Sequence, residues 1–335
     1  MRQPKFLTKG DTIAFVAPSF GVTTEPYATR FDEANKNFQR WGFLTKIGPN
    51  VKKEEGVVAS ASAEERAKEI MDAFADEETG LILSVGGGEL MCEILPYVDF
   101  SRIKNLPPKW FMGFSDNTNL VFPLVTLADT MAIYGSCAPS FYARKPRLCE
   151  EDALKMLQGE QHFQGYPKYS ITRSNPLHPL WQYRLTQPKI IVPSQYEKPF
   201  EGIMLGGCLD CLSLLVGTRY DRVKEFIAAH PEGVIWFLEA CDFGTLSLRR
   251  ALWALREAGW FDNASGFLIG RPLRAYRPEF DLDKFKATLD ILEPLGKPIL
   301  MDVDLGHVAP SMPIKAGAHA KVTYDGSNLF IDYAE

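Results

Sequence analysis

Residues Phe111–Leu120 read FMGFSDNTNL: an apolar run of strand character passes through Gly113, Phe114 and Ser115 and enters a helix-like segment at once. A strand that turns directly into a helix is the unit of a parallel α/β sheet, whose functional loops gather at the carboxyl ends of the strands. Such a corner projects its side chain outward and leaves the first helical N–H groups without partners. Taken alone, a serine there is an ordinary helix N-cap. Ser115 becomes a candidate nucleophile only if a base and an orienting acid stand elsewhere in the chain.

The same alternation extends to both sides. Thr12–Ala17, Leu81–Val85, Trp110–Phe114 and Ala132–Tyr134 are short apolar runs suited to buried parallel strands. Helix-like segments lie over Pro26–Trp41, Ala63–Ala75, Glu89–Tyr97 and Asn117–Ala128. The expectation is an open, mainly parallel, flavodoxin-like α/β domain over residues 1–150. Over 151–200 the pattern gives way to polar, proline-bearing sequence, including NPLHPLW and LTQPK, read as a linker or extended connection. A second pattern fills 201–335, with IMLGG, VIWFLEA, GFLIG and PILMDVDLG as strands and helices over Leu246–Ala258 and Asp283–Leu292. Asp325-Gly326 stands between two β-rich runs, a hairpin signal. These features predict a smaller, mixed, β-rich α/β domain at the carboxyl end.

With 335 residues and ample apolar content the chain is long enough for two domains with proper cores. A net charge of -5 and the lack of any like-charge run argue against nucleic-acid binding. The one short apolar run near the amino terminus is far below membrane-spanning length and lacks the layout of a signal peptide. A soluble, cytoplasmic protein with no membrane partner is expected. Six scattered cysteines are too few for a disulfide framework.

Three local features bear on chemistry. LILSVGGGE, residues 81–89, runs a strand into three glycines that let backbone N–H groups approach a ligand closely. The third glycine of a dinucleotide fingerprint is replaced by Met91, so a Rossmann cofactor site is disfavoured. VIWFLEACD ends a nearly all-apolar strand on Glu239, and an unpaired carboxylate there would be costly. Two partners stay open, an arginine such as Arg249 or Arg250, or a histidine. DLGHVAPSMPIKAGA, residues 304–318, sets His307 behind a glycine on a loop stiffened by two prolines. Of five histidines it has the best setting for a base: His162, His178 and His230 read as surface residues and His319 lies in the final β segment. Cys208 and Cys211 form a CxxC, but zinc would need two more ligands and the other cysteines stand alone. The pair reads as two buried thiols on a helix, and neither metal nor other cofactor is expected.

Ser115, Glu239 and His307 all follow predicted strands and supply the nucleophile, orienting acid and base of acyl-transfer chemistry. With these residues in place the chain resembles a known family, the serine LD-carboxypeptidases, which includes the microcin immunity peptidases. The resemblance spans nearly the whole chain. It rests on APS at Ala17–Ser19, SVGGG, GFSD around Ser115, LGGCL at Leu205–Leu209, FLEA around Glu239 and GHVAPSMPIKAG around His307. It implies Ser115 as nucleophile, His307 as base, Glu239 as its orienter, a homodimer and no metal. Cys208 stands where the family often has asparagine, so a substrate contact there would differ. The segment around Trp181 loosely matches the place where microcin-type members carry an aromatic loop that stacks on a nucleotide base.

The backbone N–H groups of Asp116 and of the Gly87/Gly88 turn are the natural oxyanion donors. The corner reads G-x-S-x-N, with Asn117 in the last place, which disfavours the α/β-hydrolase elbow G-x-S-x-G. For substrate, the resemblance implies an amide between an L-centre and a D-amino acid, as in release of terminal D-alanine from murein tetrapeptide in peptidoglycan recycling. The second reading is cleavage of an aminoacyl-nucleotide antibiotic of the microcin C type. A third, from another class, is a non-catalytic small-ligand binding protein, which would have no need of all three residues.

Overall fold

The central strands of both halves are mostly apolar, as strands covered on both faces must be. The computed structural model describes residues 1–171, 177–194 and 198–334. It divides into one unit of Met1–Glu160, Thr172–Arg184 and Pro313–Lys315, and a second of Gln161–Ile171, Leu185–Met312 and Ala316–Glu335.

In the first unit β1 (Thr12–Val16), β2 (Leu44–Ile47), β3 (Thr79–Ser84), β4 (Trp110–Gly113) and β5 (Ala132–Tyr134) form a parallel sheet in the order 2-1-3-4-5. That is the flavodoxin-like order, in keeping with the domain type expected, with β2 added to the four strands read from the sequence. A short strand, Ile314–Ala316, pairs with β5. Helices α1 (Tyr27–Arg40), α2 (Ala63–Ala75), α3 (Phe100–Asn105), α4 (Thr118–Thr126) and α5 (Leu148–Leu157) accompany the strands. α2 starts where Ser62 and Glu65 close a capping box, each satisfying the other's backbone N–H. Two expectations need correction. The segment read as a helix over Glu89–Tyr97 is a 3₁₀ helix, Met91–Tyr97, with Pro96, which has no N–H to donate, inside it. The stretch read as a connection opens instead with the carboxyl-terminal part of α5, and its remainder supplies edge strands; residues 172–176 and 195–197 within it lie outside the described residues.

The second unit holds an eight-stranded mixed sheet. β6 (His162–Gln164), the two-stranded ribbon β7 (Lys168–Tyr169) and β8 (Gln187–Pro188), and β9 (Val192–Pro193) come first. β10 (Phe200–Cys208), β11 (Val234–Glu239), β12 (Ala264–Gly270) and β13 (Ile299–Val303) follow as its parallel centre. Numbering the strand at 314–316 as β14, the last two are β15 (His319–Tyr324) and β16 (Leu329–Tyr333), and the order is 6-16-15-10-11-12-13-9. Helices α6 (Leu209–Leu215), α7 (Val223–Ala229), α8 (Thr245–Glu257) and α9 (Lys284–Leu292) complete it. Asp283 caps α9 by accepting the N–H of Lys286 at 2.7 Å. The terminal hairpin forms, with Asp325 accepting the N–H groups of Ser327 and Asn328, so its loop is longer than the two-residue turn the Asp-Gly pair suggested. Trp236 stacks on Trp260 at 5.8 Å and anchors this core. Among the described residues no helix is long and apolar enough to cross a membrane.

Candidate active site

Ser115 opens the 3₁₀ turn that joins β4 to α4, and its backbone is left-handed at φ 65°. For a residue with a Cβ that conformation costs on the order of 1–3 kcal/mol and persists only where the surroundings enforce it. They do so from several sides. The Ser115 N–H donates to Tyr134 Oη at 3.1 Å, from the end of β5. Asn117 donates its amide to the carbonyls of Gly86 and Phe114, both at 2.8 Å, tying the corner to the glycine turn after β3. Asp116, 3 % exposed, accepts from Ser19 Oγ, from the Met91 N–H at 2.9 Å and from Asn119 Nδ2 at 2.9 Å. Burial pushes its carboxyl pKa up, against the pull of those donors. Arg66 braces the same region through the carbonyls of Pro18 and Leu90.

The glycine turn lies against this serine. A Cβ on Gly87 would stand 3.0 Å from Ser115 Cβ and 3.2 Å from its Oγ, so a bare α-carbon is what fits. Gly88 follows it, packed on Ser19. Trp181 belongs to this unit too, with an exposed side chain and its carbonyl accepting from Tyr142 Oη at 3.0 Å and Arg30 Nη2 at 3.1 Å.

In the second unit Glu239 is the last residue of β11 and is 1 % exposed. His307, on the loop after β13, places Nδ1 2.8 Å from Glu239 Oε2. Of the two partners left open by the sequence, the histidine holds Glu239; Arg249 pairs with Asp290 at 2.8 Å. A carboxylate only accepts, so Nδ1 carries the hydrogen and Nε2 of the neutral ring keeps its lone pair. Burial alone would disfavour the imidazolium; the Glu239 carboxylate and the Cys241 sulfur beside the ring outweigh it and hold the His307 pKa well above the usual histidine value.

Cys208 is the cross-strand neighbour of Glu239, and it is buried, with Sγ 3.3 Å from Asp210 Oδ2. Hydrogen bonding to Cys211, then burial, push its thiol pKa well above the ordinary range. Cys208 and Cys211 are both buried and form no disulfide. Asp210 was not singled out in the sequence. Its two oxygens accept the N–H groups of Cys241 at 3.0 Å and Asp242 at 2.9 Å, fixing the chain as it leaves Glu239. Tyr134, Ser19, Arg66 and Asp304 were also missed; each is an unremarkable polar residue in sequence, and only the fold gives it a partner.

The amino-terminal part of the chain, residues 13–135, matches the LD-carboxypeptidase N-terminal domain, and residues 201–322 match the LD-carboxypeptidase C-terminal domain. A probable murein peptide carboxypeptidase of Bacillus subtilis is 26 % identical over 323 residues, covering 95 % of this chain and 90 % of that protein. An MccF-like protein from Bacillus anthracis superposes with a TM-score of 0.84 at 23 % identity, covering all of both chains. The microcin C7 self-immunity protein MccF in complex with aspartyl sulfamoyl adenosine superposes with a TM-score of 0.82 at 22 % identity, covering 98 % of each chain. The two domain matches, in this order and over most of the sequence, make the chain a member of the LD-carboxypeptidase family.

Proposed function

We propose that the protein is a serine peptidase that hydrolyses the amide before a terminal D-amino acid, with murein tetrapeptide as substrate and D-alanine as product. The observation that carries the reading is the His307–Glu239 hydrogen bond, since a buried carboxylate on Nδ1 is what a histidine needs to act as base through Nε2. Ser115, held in a strained conformation at a strand end, supplies the hydroxyl. His307 takes the Ser115 proton as the carbonyl is attacked and returns it to the leaving amine; a water then deacylates the serine by the same route. Backbone N–H groups of Asp116 and of the Gly87/Gly88 turn serve the oxyanion. The protein acts as a cytoplasmic homodimer on this reading.

A second reading, cleavage of an aminoacyl-nucleotide of the microcin type, is favoured by the similarity to MccF, whose solved complex holds aspartyl sulfamoyl adenosine. Trp181 would then stack on the base and Cys208 would make a substrate contact. Purified protein incubated with tetrapeptide and, separately, with aspartyl sulfamoyl adenosine separates the two by release of D-alanine or of aspartate. Both compounds recovered intact after long incubation would sink the enzymatic reading and favour a small-ligand binder.

A further inference from the structure

Arg271 directly follows β12 and Asp304 directly follows β13, its parallel neighbour. Their side chains, 6 % and 1 % exposed, form an ion pair with Nη2 2.7 Å from Oδ1. Asp304 is also the root of the loop that carries His307. Its second oxygen accepts the Tyr166 N–H at 2.7 Å, and its carbonyl accepts the Met312 N–H at 2.7 Å, which closes residues 304–312 on themselves. The Arg271 guanidinium lies over the Tyr169 ring at 4.5 Å, and the Ser170 N–H reaches the Ala309 carbonyl at 2.7 Å. The loop is thus gripped at its start and middle by one short segment and one arginine, and its end is tied back to its start.

Stability does not explain this arrangement. A buried ion pair returns little net free energy against its apolar replacement, because both charges lose their water. Arg271 Nη1 is moreover buried with no hydrogen-bond partner among the described residues, a further cost. What the pair does supply is direction: a planar guanidinium, stacked on a ring, bonds one oxygen of the carboxylate while the Tyr166 N–H takes the other, which admits one placement of Asp304.

We propose that Arg271, through Asp304, is a positioning residue that fixes the His307 loop so that the imidazole meets Glu239. The inference rests on His307 being the general base, and its test includes a reading independent of turnover. The double variant Arg271→Met/Asp304→Leu removes the pair without leaving a lone buried charge, and Arg271→Lys keeps the charge while losing the planar group and its stack. In the full-length protein, the His307 imidazole is titrated by NMR, assigned with His307→Gln, and tetrapeptide hydrolysis is followed alongside. The expected result for the double variant is a His307 midpoint lowered by on the order of one pH unit as the contact with Glu239 loosens. Its kcat should fall roughly 10- to 100-fold with KM nearly unchanged, and Arg271→Lys should lie between. A double variant that melts lower yet keeps the wild-type His307 midpoint and kcat would overturn the proposal and leave the pair a structural one. If the double variant does not fold, an Arg271→Lys protein with unchanged midpoint and kcat overturns it equally. Should the wild type release no D-alanine, the functional reading fails while the titration still decides the positioning role.

Discussion

Gly306 and Glu239 meet more closely than any side chain at 306 would allow. A Cβ on Gly306 would stand 2.7 Å from Glu239 Oε2, the same oxygen that lies 2.8 Å from His307 Nδ1. The glycine before the histidine therefore lets backbone lie against a buried carboxylate, and its φ of 102° suits no other residue well.

Gly306→Ala should cost stability and turnover together, since the new methyl group competes with the His307–Glu239 contact. A loss of roughly 1–3 kcal/mol is expected from strain and overpacking. Gly326→Ala is the control, because Gly326 has φ 93° and nothing within 4 Å of an added Cβ. Equal melting-temperature losses and full activity in both variants would mean that only backbone strain matters at 306.

Ser115 sets stability against function. Ser115→Gly and Ser115→Ala should both end turnover, with losses on the order of 10⁴- to 10⁶-fold. They should differ in stability, because only glycine occupies φ 65° without strain. The glycine variant should be the more stable of the two by roughly 1 kcal/mol in urea unfolding. An alanine variant as stable as the glycine variant would show that the corner is not strained.

The strand ends were legible in the sequence because apolar runs stop abruptly at polar residues: β11 ends on Glu239, and β4 runs into Ser115 within two residues. In the sequence Asn117 is no more than a mismatch to the hydrolase elbow; in the fold its amide ties that corner to Gly86. Partners distant in sequence left no local trace. Ser19 and Asp116, 97 residues apart, and Arg271 and Asp304, 33 apart, are paired by the sheets and not by any spacing rule. Helix α5 escaped notice because its N-cap, Arg147, supplies no side-chain hydrogen bond, so the start signal was missing.

The His307 shift gives activity a definite pH dependence. The base works as the neutral imidazole, so kcat/KM should fall with acidification through a midpoint above 6.5. Glu239→Gln removes the carboxylate that raises that value, and the midpoint should move down while the rate falls roughly 10²- to 10⁴-fold. Stability runs the other way. A histidine whose folded pKa is raised contributes stability that is full below 6.5 and is lost as pH rises through the folded value. A kcat/KM profile with its acid midpoint below 6.5 in the wild type would contradict the pairing as the controlling interaction.

Glu150, in the first turn of α5, offers a test of the fold free of any catalytic assumption. Burial pushes its pKa from 4.5 to about 7, against a weaker pull from the Cys149 thiol. The folded state therefore keeps this proton where the unfolded chain has released it. Stability from this group is full below pH 4.5 and is lost as pH rises from there to about 7. Glu150→Gln preserves the shape and removes the titration. At pH 8 the variant should be more stable than wild type by up to about 3 kcal/mol, from 1.36 kcal/mol per unit, and below pH 4.5 the two should converge. Urea midpoints at pH 4 and pH 8 on both proteins decide it. A variant that is no more stable than wild type at pH 8 would mean that the carboxylate is solvated or paired there, and that burial does not govern its charge.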